Sequence, residues 1–514
     1  MVVLIVLLAI TATAAMADWP TWRADAQRRG STTQELPEQL HLQWVRELPE
    51  PMEAWPFQWD DAGKLCFDVS YEPVAVGTTL VVGSMVSDSI TAYDTRTGEE
   101  RWRYYVNGPV RMAPTIWDGR VYAGSDDGYL YCLDLASGEL LWRFHAAPQS
   151  RYMLGNERMV SHWAVRGGPV VRDDTLYFAA GVFPHMGTFL YALDAETGEV
   201  EWCNSGTGHM YNLHQHGGAH SFGGVSPQGY VVATEDRVMF PGGRTPPAVH
   251  DRETGDFIYW RHATQYVGKG AGGYGVWVQD GFFHNPNNIV GTSLYSLEDG
   301  AQYGSVPSEV LTDDYRIGLD DEGRIVGYES ELEVTEEEVT DRLGRGSIRE
   351  RYNLVRAFRG ELDLDVNKLH IVAGNRVYAS NPDGLVAAID LPEEDGEAQV
   401  SWQTEIDGTP WSMIVADERL FVVNEEGAVF CFGAEETEVA RHTVNGVIQR
   451  PQDSWAGEAA AMLNAVGNEG FALVLGAGSG RLVDELIARR ARPELAGSNP
   501  ASRRLRAAPD CASA

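Results

Sequence analysis

Four histidines crowd into one short stretch of the chain, GHMYNLHQHGGAHSFGG: His209, His214, His216 and His220. Imidazole is a common metal ligand, and His214 and His216 share one face of the backbone if it is extended. They are the candidate metal pair. No Asp, Glu or Cys stands among them to complete a ligand set, and the glycines around them read as loop. The stretch is also the best candidate for contact with a small partner, and the alternative is an ordered loop with no function of its own. A second candidate is Arg244 in PGGRTPPAVHDRETG, fit to bind an anion or a carboxylate, or else a plain loop residue beside Pro246 and Pro247. The third is the run Gly476-Ala477-Gly478-Ser479-Gly480, between apolar residues 471–475 and a helical pattern over 481–490. Glycines at such a place let backbone amides approach a ligand at a helix N-terminus. Gly476, Gly478 and Gly480 are therefore the candidate cofactor-binding residues.

The elements that must carry these residues are set by internal repeats. SITAYDTRTGEERW, YLYCLDLASGELLW and FLYALDAETGEVEW each run from alternating apolar residues to an Asp, then to a Gly, then to a Trp. The Asp residues are Asp94, Asp134 and Asp194, and the Gly residues are Gly98, Gly138 and Gly198. AVHDRETGDFIYW is a fourth copy, with Trp260 displaced by one position. Weaker copies are SLYSLEDG, LVAAIDLPEEDGEAQVSW and AVFCFGAEE. Period-two alternation makes a strand with one buried face. The Asp carboxylate bonds amides further along the turn, and the Gly supplies the positive φ of a bulged hairpin. The returning strand brings a Trp to fill the gap between packed sheets. A further strand precedes each motif, as in GRVYAGSDDG and NRVYASNPDG. Strand, turn, strand, Asp–Gly turn and Trp strand make one four-stranded propeller blade.

Seven copies are recognisable between about residues 72 and 442. Residues 311–365 are either a degenerate eighth blade or an insertion, because ELEVTEEEVTDRLGRGSIRERYNLVRAF is charged and compatible with helix. HLQWVREL, near the N-terminus, is a lone Trp strand suited to completing the last blade and closing the ring. The expected fold is all-β: a seven- or eight-bladed β-propeller of antiparallel four-stranded blades over residues 18–450, followed by a small, truncated α/β segment over 455–490 and a disordered tail over 491–514.

Composition narrows the partners. The 514 residues carry 40 basic and 74 acidic side chains, a formal charge of −34, which repels phosphate backbones and anionic lipid surfaces. Nucleic acid is excluded as a natural partner on that ground. The opening MVVLIVLLAITATAAMADWP reads as a signal peptide over residues 1–17, although no Lys or Arg precedes its apolar run. That apolar run is too short to span a bilayer. Five scattered cysteines do not read as a disulfide framework. Cys132 and Cys431 fill the small-residue slot that Ala92, Ala192 and Ala388 fill in other copies, and so read as packing residues.

The repeats resemble those of the pyrroloquinoline-quinone (PQQ)-like propeller superfamily, over roughly residues 19–442. The opening DWPTWRADAQRRG resembles the start of exported bacterial propellers of this kind. The superfamily includes quinoprotein alcohol dehydrogenases and a non-catalytic propeller of outer-membrane assembly. The resemblance implies fold more than activity. Family enzymes carry adjacent cysteines against the quinone, a Trp floor and a Ca²⁺ site with a catalytic Asp. This chain has no adjacent Cys pair. The C-terminal glycine run resembles motif I of class I S-adenosylmethionine-dependent methyltransferases, but no acidic strand end follows it. The expectation is an exported, non-catalytic binding or scaffold module of the periplasm or cell envelope, with a protein or small ligand at the propeller face or channel. No cofactor is expected, S-adenosylmethionine or PQQ being the alternatives: a fused methyltransferase, truncated here, or a quinoprotein oxidoreductase.

Overall fold

Asp94 shows how the repeat folds. Its Oδ1 accepts hydrogen bonds from Arg96 N at 2.9 Å and Thr97 N at 3.0 Å, and Gly98 completes the turn at φ +71°. Asp134, Asp194 and Asp251 bind the amides of Ser137, Thr197 and Thr254 in the same way, each followed by a glycine at φ +73°. Local chemistry thus fixes the last hairpin of each of these blades.

A computed structural model describes residues 18–55, 64–155, 158–213, 220–243, 245–261, 272–287, 291–340, 346–443, 451, 453–467 and 479–489. Residues 18–443 fall in one compact unit, an eight-bladed β-propeller. Its blades span 74–105, 115–145, 167–204, 232–259, 277–305, 310–361, 368–405 and 410–433. The last blade supplies only three strands in sequence. Its outer strand is His41–Glu47, paired antiparallel to Ala428–Gly433, so the lone Trp strand closes the ring. The seven repeat copies fall on blades 1–5, 7 and 8, and residues 311–365 supply blade 6.

Apolar residues lie in the seams between blades. Val81, Ile90 and Trp102 of blade 1 pack with Val121, Tyr131 and Leu133 of blade 2, all buried. Cys132 and Cys431 are fully buried in such seams, as their small-residue slot requires. The outer-strand Trp of one blade reaches the turn of the next. Trp44, Trp102 and Trp202 donate from Nε1 to the carbonyls of Thr95, Leu135 and Arg252 at 2.9, 2.9 and 3.0 Å. In blade 4 this place belongs to Tyr259, whose hydroxyl donates to Leu297 O at 2.8 Å. The displaced Trp260 turns back instead to Pro246 O within its own blade.

Blade 6 corrects the helix-compatible reading of residues 311–365. Ile325–Thr340 and Gly346–Glu361 are two strands of 16 residues each, paired through two register shifts. Cross-strand contacts outweigh the helix propensity of the Glu and Arg side chains. Asn353 Nδ2 donates to Thr335 Oγ1 at 2.9 Å, and Tyr352 packs on Tyr303 of blade 5 with ring centroids 4.5 Å apart.

The second unit is described over 451, 453–467 and 479–489. It contains helix α1, Ser454–Val466, and helix α2, Arg481–Arg489, the latter close to the helical pattern expected over 481–490. Asp453 caps α1, and Arg481 joins the helices by pairing with Asp453 at 3.0 Å and Glu485 at 2.8 Å. The apolar residues 471–475 and the tail at 491–514 lie outside the described residues, as does the expected signal peptide. No helix among the described residues is long and apolar enough to cross a membrane.

Candidate functional site

The central channel of the propeller is plugged by its own N-terminal segment. Residues 19–30 coil along the inner strands and offer them successive carbonyls. Ala75, Ile116, Ala233, Val278, Leu311 and Val372 donate amides to Trp19, Pro20, Ala26, Gln27, Arg29 and Gly30 at 2.7–3.1 Å. Six blades are thereby tied to one segment. Arg28 reaches a seventh. It is fully buried and donates to Pro169 O of blade 3 at 3.0 Å, to Val231 O twice, at 2.8 and 3.0 Å, and to Trp22 O at 3.0 Å. The tight path needs left-handed backbone at Arg23, Ala24 and Arg28, with φ of +56°, +72° and +63°. Such conformations cost roughly 1–2 kcal/mol per residue, which the bonds to the inner strands must outweigh.

Above the plug lies a cavity of about 140 Å³. It opens at the end of the ring where the inner strands begin, here called the upper face. Trp22 helps to line it and stacks on Tyr230, with centroids 4.0 Å apart and planes 9° apart. Trp277 and Trp411 line its sides, and each ring carries a cation: Arg23 lies 4.5 Å from Trp277 and Lys368 4.7 Å from Trp411. Glu72 accepts from Trp411 Nε1 at 2.9 Å and from Ser412 Oγ at 2.6 Å. Burial pushes the Glu72 carboxyl above its usual range and that of Glu309 up to about 7. His370 also lines the cavity, and burial holds its imidazole neutral, bonded through Nε2 to Ser380 Oγ at 2.7 Å.

A buried ion network fixes the cover of the upper face. Arg111 bridges Asp68 at 2.5 Å and Asp126 at 2.7 Å, and Arg166 bridges Asp126 at 2.8 Å. Burial alone would raise the Asp126 carboxyl, but Arg166 and Arg111 outweigh it and hold the group at about 2. Asp68 also accepts from Ala54 N at 2.9 Å, which fastens the segment around residues 52–55 across blades 1–3.

Two extra hairpins rise from the upper face on either side of blade 3. One pairs Tyr152–Gly155 with Arg158–Ser161, and the other pairs Met210–Leu213 with His220–Gly223. The first is anchored by Arg158, which pairs with Asp88 and donates to Val86 O at 3.0 Å. Their outward side chains are large and apolar. Leu154 and Met159 are 55% and 54% exposed on the first, and Tyr211 and Phe222 are 62% and 77% exposed on the second.

Of the four clustered histidines, His209 and His220 are described, at the second hairpin. His209 and His220 are exposed, and His220 lies beside Tyr211 at 5.6 Å between centroids. His214, His216 and Arg244 lie outside the described residues. No group of three His, Cys, Asp or Glu among the described residues is placed to hold a metal ion. Of the three candidate glycines only Gly480 is described, at φ +76° before α2. Sequence reasoning singled out this stretch for its histidines but read it as loop, and missed both the hairpin and its aromatics. It also missed the cavity, whose side chains come from several blades and the plug.

The cavity fits the quinone–calcium pair of the superfamily's enzymes only in part. Trp22 is a floor of the right type. The carboxylates do not fit, because Glu72 is already bonded by Trp411 and Ser412 and Glu309 by the Leu319 amide at 3.0 Å. The described lining includes no Asp and no Cys. No catalytic step is derived through that group.

Comparison with known proteins agrees with the architecture. A family profile described as outer membrane protein assembly factor BamB matches residues 20–205, 126–240 and 332–443. A quinohemoprotein alcohol dehydrogenase of Comamonas testosteroni is 28% identical over 198 residues, 36% of this chain and 25% of that protein. The dehydrogenase subunit of a quinone alcohol dehydrogenase of Gluconobacter oxydans is 29% identical over 143 residues, 24% of this chain and 18% of that protein. The chain thus spans a quarter or less of these curated relatives. Among solved structures, quinohemoprotein alcohol dehydrogenase ADHIIG of Pseudomonas putida HK5 superposes with a TM-score of 0.53 at 13% identity, covering 87% of this chain and 85% of that one.

Proposed function

We propose, from the premise that this chain belongs to the PQQ-like propeller family described as outer membrane protein assembly factor BamB, that it is an exported, non-catalytic binding module of the cell envelope. The observation that carries this reading is the pair of hairpins flanking blade 3. They present Leu154, Met159, Tyr211 and Phe222 to solvent on the face where the cavity opens. Large apolar side chains clustered on one face mark a docking surface more often than they occur by chance. The plug, the ion network and Arg158 hold that face rigid, which lowers the entropic cost of docking. The partner is a protein with an apolar patch of its own. The leader-like residues 1–17 are what support export.

The test is retention of envelope proteins on the immobilised full chain. Wild-type protein retains a defined partner, and a Leu154→Asp/Phe222→Asp chain of unchanged melting temperature does not. Equal retention by both overturns the reading.

The quinoprotein reading has one observation in its favour, the names of the matched relatives. It is tested by adding PQQ and Ca²⁺ to the pure chain. A bound-quinone absorbance with oxidation of an alcohol would replace the proposal. The methyltransferase reading of Gly476, Gly478 and Gly480 gains no support from the described helices, and nothing here rests on it.

A further inference from the structure

Among the described residues, two arginines of the propeller have no exposed surface, and they are treated very differently. Arg28 spends its guanidinium on four oxygen partners in the plug and the inner strands. Arg316, on the strand Tyr315–Leu319 of blade 6, makes one bond, from Nη1 to Glu329 O at 2.6 Å. Its Nε and Nη2 are buried and have no partner. No carboxylate forms an ion pair with it among the described residues.

The neighbouring blade is short of a partner at the same seam. His284, in the strand Phe282–Asn287 of blade 5, is fully buried and feels the charge of Arg316. Its Nδ1 lies 2.8 Å from Ser308 Oγ, and its Nε2 has no partner. The Ser308 hydroxyl donates to Val306 O at 3.4 Å. Gln279 of blade 5 is buried as well. Its Nε2 donates to Thr312 O at 2.6 Å, and its Oε1 is unpartnered.

A buried charge is almost always paired, because leaving it unpaired forfeits its hydration with no return. Arg316 feels the charge of the Asp280 carboxylate, yet its Nε and Nη2 N–H groups have no hydrogen-bond acceptor among the described residues. Backbone carbonyls solve this problem for Arg28, but only one is within reach of Arg316. We propose that a small monovalent anion of the halide class is bound between blades 5 and 6, against Arg316 Nε and Nη2. The anion completes the charge balance of the seam. Water completes Gln279 Oε1, which an anion does not satisfy. Arg316 also holds the carbonyl of Glu329, at the root of the long hairpin of blade 6. The anion therefore fixes the base of that hairpin to the ring.

The test uses crystals of the full chain in which chloride is replaced by bromide, with diffraction at the bromine absorption edge. The expected result is an anomalous peak within hydrogen-bond reach of Arg316 Nε and Nη2, together with a melting temperature higher in chloride than in gluconate at equal ionic strength. In an Arg316→Gln chain the peak and the salt difference are lost. If that chain does not fold, Arg316→Lys keeps the charge without the fork and weakens both. An ordered water at the site with no anomalous peak in the wild-type crystal overturns the proposal. So does a peak that persists in Arg316→Gln.

Discussion

The ring of Trp102 lies so close against Gly138 of the next blade that a Cβ on Gly138 would fall 2.5 Å from it. The indole N–H is bonded to Leu135 O of the same turn at 2.9 Å. Trp44 with Gly98, Trp142 with Gly198 and Trp202 with Gly255 repeat the arrangement. The glycine that shapes the turn of one blade is therefore also the floor on which the preceding blade rests.

Gly138→Ala meets both constraints at once. It places a side chain at φ +73° and drives it into the indole. The expected loss is about 2–4 kcal/mol, combining left-handed strain with overpacking. Urea unfolding measures it, and an unchanged midpoint would show that the seam yields.

Arg28→Met removes the donor that holds Val231 O, Pro169 O and Trp22 O. Buried carbonyls left without partners cost about 1–3 kcal/mol each, so the plug should loosen before the ring does. Hydrogen exchange reads this as faster exchange at Ile116, Ala233 and Val278, whose amides the plug accepts. Unaltered exchange there would mean that the plug does not depend on Arg28.

Stability should fall with acid through His250. Burial lowers its imidazole from 6.5 to about 4, and neither ring nitrogen has a partner. Between these values the unfolded chain takes up a proton that the folded chain refuses, so folding is favoured less as pH drops. The full contribution is about 3 kcal/mol, all of it lost by pH 4. Leu133 and Leu193 hold the equivalent place in blades 2 and 3, so His250→Leu suits the site. Its unfolding free energy should fall less between pH 6.5 and 4 than that of the wild type. Parallel curves would refute the assignment.

Asp126 acts in a lower window. Its folded value of about 2 lies below the ordinary 3.8, so the stability it contributes is present above the latter and is lost as pH falls towards 2. Asp126→Asn leaves Arg111 and Arg166 with only Asp68 as a buried counter-charge, and should cost about 3–5 kcal/mol at neutral pH. Thermal unfolding at pH 7 checks this, and a loss below 1 kcal/mol would contradict it.

Blades 1–3 were legible in sequence because their signal is local: Asp, turn amides and Gly stand within five residues, and the Trp follows. Blade 4 was legible except at Tyr259, because a tyrosine hydroxyl can replace the indole N–H and no spacing rule separates it from Trp260. Blade 6 was legible only as one of two alternatives, a degenerate blade or an insertion, because its Glu- and Arg-rich strands favour helix alone and become strands only against each other and against Tyr303. The site was less legible still. The plug binds through its carbonyls, which carry no residue signature. Glu72, Glu309, Lys368 and Trp411 are far apart in sequence and meet only where the inner strands begin. The histidines drew attention to the second hairpin, whereas its exposed surface is made by Tyr211 and Phe222.

Site-specific photocrosslinking in the cells that make the protein tests the central claim most directly. A benzophenone side chain at position 222 reports on the upper face, and one at position 196, in an exposed Asp–Gly turn, reports on the opposite face. The account predicts one defined protein adduct from position 222 and none from position 196. No adduct from position 222, or the same adducts from both positions, would contradict docking through the hairpin face.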